Sequence, residues 1–288
     1  LWLGVPIAML LTGVLAWLLA GRALRPVRAI SERTEQIGAG TLHERVPVPK
    51  SGDEVAGLAR VMNDMLDRIQ REDRRRRQFV ADASHELRSP ISSIQTQAEV
   101  AANEGGPASE LAGGVLAESE RLGALVDDLL SLARHDEALA PPGGEVDLDD
   151  IVLAEADRPR RVPIDTSRVS GGQVRGRSDE LARVVTHLLD NAARHAESQV
   201  LVKLATDADG VTLEVHDDGP GIASEQRERI FERFVRLDEA RERDGGGAGL
   251  GLAVVATVVR AAGGSVTVDE SDELGGARFR FTLPPATS

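Results

Sequence analysis

The first twenty positions are almost wholly apolar: Leu1 to Ala20 contains no charged residue. At about 1.5 Å of rise per helical residue such a run is long enough to cross the ~30 Å hydrocarbon core of a bilayer. Trp2 and Trp17 lie near its ends as interfacial anchors do, and Arg22, Arg25 and Arg28 follow at once. That order predicts a membrane-spanning helix with the rest of the chain on the cytoplasmic side of the cell membrane. No basic leader precedes the run, which argues against a secretory signal. The chain begins at Leu1 rather than Met, so an upstream segment is expected to be missing from it.

Beyond the membrane the apolar positions recur at steps of three and four. Val27, Ile30, Thr34 and Ile37 give one short amphipathic helix that starts near Pro26 and ends at Gly38-Ala39-Gly40; Leu58, Met62, Met65 and Ile69 give a second, with a polar link from Thr41 to Gly52 between them. No breaker interrupts the second helix before His85, but its register changes: 62, 69, 76, 83 gives way to 84, 91, 98, a skip that alters local supercoiling. The Arg74 to Arg77 run lies at that point and reads as a solvated face. The apolar series Val80, Ala83 or Ser84, Leu87, Ile91, Ile94, Ala98 and Ala101 has the period of a coiled-coil seam. Asn103 to Ser109, with Gly105-Gly106-Pro107, is a turn, and Leu111, Val115, Leu122, Leu125, Leu129 and Leu132 form a further stripe. Two such helices make an antiparallel hairpin whose apolar faces are best hidden against a second copy, predicting a homodimer built on a four-helix bundle with His85 on its outside.

After the hinge Ala138 to Glu145, which contains Pro141-Pro142-Gly143-Gly144, the pattern mixes helices and strands. Ser178 is placed to cap a helix whose Leu181, Val184, Val185, Leu188, Leu189 and Ala192 share one face. Val200 to Ala205 and Val211 to Val215 read as a hairpin turning at Asp209-Gly210, Gly249 to Ala262 as a helix, and Val266 to Val268 and Arg278 to Leu283 as strands. The fold class expected is multidomain: all-α at first, then an α/β sandwich of one sheet with helices against it.

Composition narrows the function. A chain of 288 residues is long for one domain, and with 2% aromatic residues and no Tyr the cores must be aliphatic. A formal net charge of −13 argues against a nucleic-acid partner, which requires a basic surface. With no Cys, thiol catalysis and Cys-ligated metal are excluded.

Four strings carry candidate chemistry. In His85-Glu86-Leu87-Arg88-Ser89-Pro90 the imidazole is the candidate nucleophile, Glu86 can orient it or take its proton, and Pro90 loosens the helix one turn later. Asp190-Asn191-Ala192-Ala193-Arg194 closes the capped helix; Asn191 offers an amide oxygen suited to Mg²⁺, and Arg194, one turn on, can reach a phosphate. Asp217-Asp218-Gly219-Pro220-Gly221 follows a strand, so Asp217 can accept from an adenine amino group while Gly219 and Gly221 let the backbone come close. Gly245 to Leu252, with Gly247, Gly249, Leu250 and Gly251, opens a helix whose free N–H groups suit phosphates, although it lacks the Lys-Ser/Thr of a P-loop.

The first string resembles the phosphoacceptor box of the sensor histidine kinases, His-Glu-Leu-Arg/Lys-Thr/Asn-Pro, with Ser89 as its departure. The later strings resemble that family's asparagine box and two glycine boxes, in order, with Phe231-Glu232-Arg233-Phe234 matching its phenylalanine box and an ATP lid from about Ile222 to Ala248. Gly263-Gly264 and Gly275-Gly276 match the tail of the same domain. Pro26 and Gly52-Asp53-Glu54 fall where a HAMP relay domain has them. The resemblance implies a transmembrane helix (1–21), a HAMP relay domain (22–72), a dimerisation and phosphotransfer hairpin (73–138), a linker (139–147) and an ATP-binding domain of the GHKL type (148–285). It also implies a function: His85 is phosphorylated from Mg·ATP and passes the phosphoryl group to an aspartate of a response regulator receiver domain, with a weak phosphatase activity that involves Ser89. The missing upstream segment would be the sensor. His187 departs from the family, whose asparagine box usually begins with another Asn; imidazole is a poorer Mg²⁺ ligand than an amide oxygen. Two rival readings are a non-catalytic scaffold, which His187 alone favours, and an ATPase or molecular clamp on the same nucleotide fold, which has no use for the phosphoacceptor box.

Overall fold

The computed structural model describes residues 7, 9–18, 21, 30, 33, 41, 43–49, 54–104, 108–136, 143–237 and 248–286, which divide between two compact units, residues 1–81 and 82–288. In the first unit, residues 9–18 are helical and present exposed apolar side chains such as Leu11, Val14 and Trp17. The remainder of the expected membrane span, with Trp2 and Arg22, Arg25 and Arg28, lies outside the described residues, and among the described residues no helix is long and apolar enough to cross a membrane. The opening residues of helix α1 (Glu54–Glu104) bury Ala59 in a small core with Ile30 and Val46, against which Val55, Met62 and Leu66 pack. The connector is held to the helix by two backbone bonds from one side chain: Val46 N–H donates to Asn63 Oδ1 at 2.9 Å and Asn63 Nδ2 donates to Val46 O at 3.0 Å. An amide can satisfy both halves of an extended residue in this way, so Asn63 does for the connector what a neighbouring strand would do in a sheet.

Helix α1 is unbroken through the change of apolar register and through Pro90, and its partner α2 runs from Ala108 to Asp136. Much of the hairpin's apolar surface is uncovered: Val80, Ile91, Val100, Leu116, Val126 and Leu130 are exposed. The second half of α2 behaves differently. Leu125, Asp128 and Leu132 are buried on one stripe that faces the C-terminal α/β domain, the one expected to bind nucleotide.

That domain is built on a five-stranded mixed sheet. Strand β1 (Gly144–Asp147) pairs antiparallel with β3 (Gln173–Gly176) as a separate ribbon, while β2 (Ile164–Val169), β4 (Val200–Asp207), β5 (Gly210–Asp217), β6 (Ser265–Glu270) and β7 (Ala277–Leu283) form the main sheet in the order β2-β4-β5-β7-β6. Only the β2–β4 pair is parallel. Helices α3 (Leu148–Ala156), α4 (Ser178–His195) and α5 (Gly251–Ala261) cover the sheet, α4 burying Leu181, Val184, Val185, Leu188, Leu189 and Ala192 as its spacing requires.

Two details depart from the sequence reading. Residues 144–147, read as linker, form β1, because their donors and acceptors are met by β3, a segment too short and polar to announce itself as a strand. Ser178 does not cap α4: the cap residue is Arg177, extended and with no capping side-chain bond, whose carbonyl accepts from Leu181 N–H at 2.9 Å. Asp179 and Glu180 in the first turn offset the missing cap by meeting the positive end of the helix dipole.

Inside the sheet His216 is 1% exposed, with Nδ1 3.0 Å from Ser271 Oγ and Nε2 3.3 Å from Glu214 Oε2. Burial pushes its basicity below the ordinary value of 6.5, outweighing the nearby Glu214. An unfolded chain therefore takes up this proton before the folded one does, so the contribution of His216 is fully present above pH ~6.5 and is lost as pH falls through the lower folded value. The nucleotide domain of the parent should lose a few degrees of melting temperature, roughly 2–4 °C per kcal/mol, between pH 7 and pH 5. His216→Gln should flatten that slope, as differential scanning fluorimetry across the pH range would show.

Candidate functional site

One face of α4 organises the nucleotide end of the domain. His187, Asn191 and His195 follow at steps of four and share that face. At one end His187 lies against the start of α5, so close that a Cβ built on Gly251 would come within 2.8 Å of its Nδ1. At the other end the carbonyl of His195 would meet a Cβ on Gly219 at 2.4 Å. Asn191 is thus flanked by the two glycine loops and half-buried, and its side chain makes no hydrogen bond to another described residue. Arg194 is exposed one turn beyond it.

Strand β5 delivers Asp217 to the same end. Its side chain is 2% exposed, and its Oδ1 accepts from Gly219 N–H and Ala277 N–H, each at 3.0 Å, while its own carbonyl accepts from Gly276 N–H at 3.2 Å. Burial pushes the carboxyl above its usual range, against the pull of those two donors. With Oδ1 saturated by backbone, Oδ2 is the oxygen left for a ligand's donor. Gly276 is required here, since a Cβ would stand 2.4 Å from Asp217 Oδ1. The next residue, Asp218, turns away: it accepts from the N–H groups of Glu197, Ser198 and Gln199 and from the Ser198 hydroxyl. Desolvation opposes ionisation there, but the four donors outweigh it and lower its carboxyl to about 2.

The lid region is closed at its base by a backbone clasp. Phe234 N–H donates to Gly249 O at 2.9 Å, with Phe234 at φ 61° and Gly249 at φ 70°. A left-handed phenylalanine is uncommon and is held here by its surroundings. Phe231, three residues earlier, packs edge-on to Phe279 of β7 with ring centroids 6.5 Å apart. Leu250 is buried as the cap residue of α5. Residues 238–247, including Gly247 and most of the glycine run, lie outside the described residues.

The phosphoacceptor string is elsewhere, on α1. His85 and Ser89 are exposed one turn apart on the same face and Glu86 is half-buried; among the described residues none hydrogen-bonds these three side chains, and none ties them to Asn191 or Asp217. The structure therefore gathers Asn191, Asp217, Gly219, Gly221, Gly249, Leu250 and Gly251 in one domain and leaves His85, Glu86 and Ser89 as a separate, solvent-facing group. The roles of Gly276 and Asp218 were not read from sequence. An Asp-Asp pair at a strand end does carry a signal, because alternation sends neighbouring side chains opposite ways.

Comparison with known proteins agrees with this division. Residues 18–71 match the HAMP domain, residues 75–138 the His Kinase A (phospho-acceptor) domain, and residues 176–287 the histidine kinase-, DNA gyrase B- and HSP90-like ATPases. The chain belongs to the HAMP-containing sensor histidine kinases of two-component systems. Among the relatives of this kinase are the signal transduction histidine-protein kinase/phosphatase MprB of Mycolicibacterium smegmatis, 38% identical across 98% of the chain and 59% of the relative, and the sensor histidine kinase CpxA of Escherichia coli, 30% identical across 94% and 59%. The kinase chain thus spans about three fifths of the length of these relatives. Among solved structures, full-length ShkA in complex with AMPPNP is 26% identical, with a TM-score of 0.53 over 74% of this chain and 46% of its own. The histidine kinase AdeS of Acinetobacter baumannii shares the fold at a TM-score of 0.53, over 71% of this chain and 98% of its own, with 24% identity.

The structural bonds of Asp217 can be separated from the nucleotide contact expected of it. An Asn at 217 keeps an oxygen for the two backbone donors but presents an amino group in place of Oδ2. The folded carboxyl lies above its usual 3.8, so its stabilising contribution is present below that pH and lost as pH rises through the folded value. At neutral pH the ionised group costs stability. Asp217→Asn should therefore melt at the parent temperature or slightly above it, yet bind ATP about tenfold more weakly or worse, the equivalent of one hydrogen bond to a charged acceptor. Calorimetric titration beside thermal melting measures both.

Proposed function

We propose that this kinase phosphorylates its own His85 from Mg·ATP and hands the phosphoryl group to an aspartate on a response regulator receiver domain. The observation that carries the reading is the pairing of an exposed imidazole on α1 with a separate domain in which a half-buried Asn191 lies on α4 between His187, against the start of α5, and His195, against the Gly219 loop that Asp217 holds. Asp217 Oδ2 would accept the adenine amino group, and the free N–H groups at the start of α5, with Gly249 and Gly251, would receive phosphates. Gly247 and Arg194 are assigned to the same phosphate end, and Gly219 and Gly221 to the adenine side.

The residues fit a Mg²⁺ ion. The Asn191 side-chain amide hydrogen-bonds no other described residue, so its oxygen is open to a cation. That is the donor set expected for an ion held by one protein oxygen together with phosphate oxygens. When bound, it neutralises phosphate charge; most of what such enzymes add beyond that is positioning. In the reaction His85 forms the new P–N bond as the γ-phosphate leaves ADP, and Glu86 holds the second ring nitrogen or takes its proton.

The exposed apolar positions of α1 and α2 fit a second copy of the chain, so the active form is a homodimer. The domain bounds proposed are those set out from the sequence, except that residues 144–147 join the ATP-binding domain as β1, with a membrane anchor at 1–21 and everything after it cytoplasmic. Nucleic acid is not a partner, given the chain's net charge of −13. A second activity, dephosphorylation of the regulator, is favoured by Ser89, whose hydroxyl faces the same side of α1 as His85 and can orient a water.

Incubation with Mg²⁺ and labelled ATP should place an acid-labile label on the parent and none on His85→Gln, while ATP affinity is unchanged in the variant. Label persisting on His85→Gln would rule out the assignment. Separately, Ser89→Ala should slow the decay of phosphorylated regulator in the presence of ADP and leave label uptake near the parent rate. Ser89→Thr should speed that decay by restricting the hydroxyl rotamer.

A further inference from the structure

The C-terminal half of α2 packs on α5 and runs antiparallel to α4, to which polar rungs tie it. His187 Nε2 lies 2.9 Å from Asp128 Oδ1, and two turns away on both helices His135 Nε2 lies 3.5 Å from Glu180 Oε2. The spacing of seven residues is the same on each side, from 128 to 135 on α2 and from 187 to 180 on α4, so the two pairs belong to one register. Between them Arg183 Nη1 donates to Asp127 O at 2.9 Å. Asp128 is 8% exposed and Leu125 and Leu132 are buried on the same stripe, so this half of α2 is desolvated by the contact. The hairpin is therefore docked on the nucleotide domain by packing against α5 and by polar rungs to α4, the helix that also carries Asn191.

The position of the first rung matters for the nucleotide. The His187 ring has Asp128 on its Nε2 side and the start of α5 on its Nδ1 side, where a Cβ on Gly251 would be 2.8 Å away. A single imidazole separates a carboxylate from the helix end whose dipole favours anions, and the neighbouring Asp127 adds a second negative charge. Phosphates arriving at the same helix end would stand one imidazole ring away from the Asp128 carboxylate.

We infer that α2 is a built-in competitor of the nucleotide: Asp128, held by His187, keeps the hairpin docked at the phosphate end of the site, and docking and ATP binding oppose one another. This rests on the ATP reading given above. It also gives His187 a purpose that its departure from the family's asparagine does not otherwise supply: it is a positioning residue that ties two domains together. Because coupling is reciprocal, whatever loosens the rung tightens ATP binding, and ATP loosens the rung by the same factor.

The test uses the full chain, with Asp128→Asn, His187→Asn and the double variant, and a non-hydrolysable ATP analogue with Mg²⁺ as probe. Spin labels on Glu120→Cys of α2 and Glu270→Cys of β6, both exposed, report the separation of hairpin and nucleotide domain; the chain has no Cys of its own, so each label has one address. With labelled chain mixed into excess unlabelled chain, so that each dimer carries one labelled protomer, the parent without nucleotide should give one narrow distance that broadens when the analogue is added, whereas each single variant should be broad from the start. Each single variant should bind the analogue about fivefold more tightly, the lower end of ordinary coupling. The double variant should gain no more than either single one, since breaking a rung twice adds nothing. Additive gains, unchanged affinity or an unchanged narrow distance in Asp128→Asn would overturn the inference while leaving the ATP reading intact. Failure of the parent and every variant to bind the analogue would overturn both.

Discussion

A carboxylate that is 2% exposed must collect hydrogen-bond donors or surrender its charge, and the nucleotide domain is arranged around meeting that demand at Asp217. The donors come from two places distant in sequence, Gly219 just after β5 and Ala277 at the start of β7, and Gly276 brings a third N–H to the carbonyl of the same residue. Each bond to a charged acceptor is worth about 1.5–3 kcal/mol. Together they fix where β5 ends, where β7 begins and how the Asp-Gly-Pro-Gly loop leaves the sheet. The adjacent Asp218 completes the corner by tying the segment after α4 to the same strand end. Satisfying one buried oxygen in this way leaves the other available, so the constraint that shapes the corner also makes a recognition point.

The second organising feature is α4, which has three duties on three faces. Its apolar face supplies the domain core, its His187, Asn191 and His195 face runs between the glycine loops, and Glu180, Arg183 and His187 meet α2. A helix in this position cannot shift toward the hairpin without also moving the residues beside the phosphate end. Communication between phosphotransfer hairpin and nucleotide domain therefore needs no long chain of contacts: His187 is itself on both surfaces.

The phosphoacceptor helix has the opposite character. His85 and Ser89 are open to solvent, and the apolar residues beside them are largely uncovered, so the hairpin's own packing does little to define a closed surface. On the function proposed, a nucleophile that meets first a nucleotide domain and then a regulator has to be reachable from outside. The uncovered apolar stripe is the complement of that accessibility, a surface that a second hairpin can bury.

The heptad spacing, the strand alternation and the glycine-containing boxes are local patterns, and local patterns determined the helical first half, the α/β second half, the outward placement of His85 and Ser89, and the grouping of Asn191 with Asp217. Period and turn chemistry act over a few residues and survive in any context, which is why they can be read from the chain alone. The strand β1 and the cap of α4 were misread because short polar segments take their conformation from a partner, here β3 and the carbonyl of Arg177. Only the tertiary structure decided that Gly276, from the far end of the domain, supports Asp217, and that α2 turns Leu125, Asp128 and Leu132 toward the nucleotide domain. A heptad stripe states that a face is to be buried and says nothing about what buries it. The pairing of His187 with Asp128 lies between residues 59 apart in sequence, a distance over which no periodicity carries information and only packing can choose the partner.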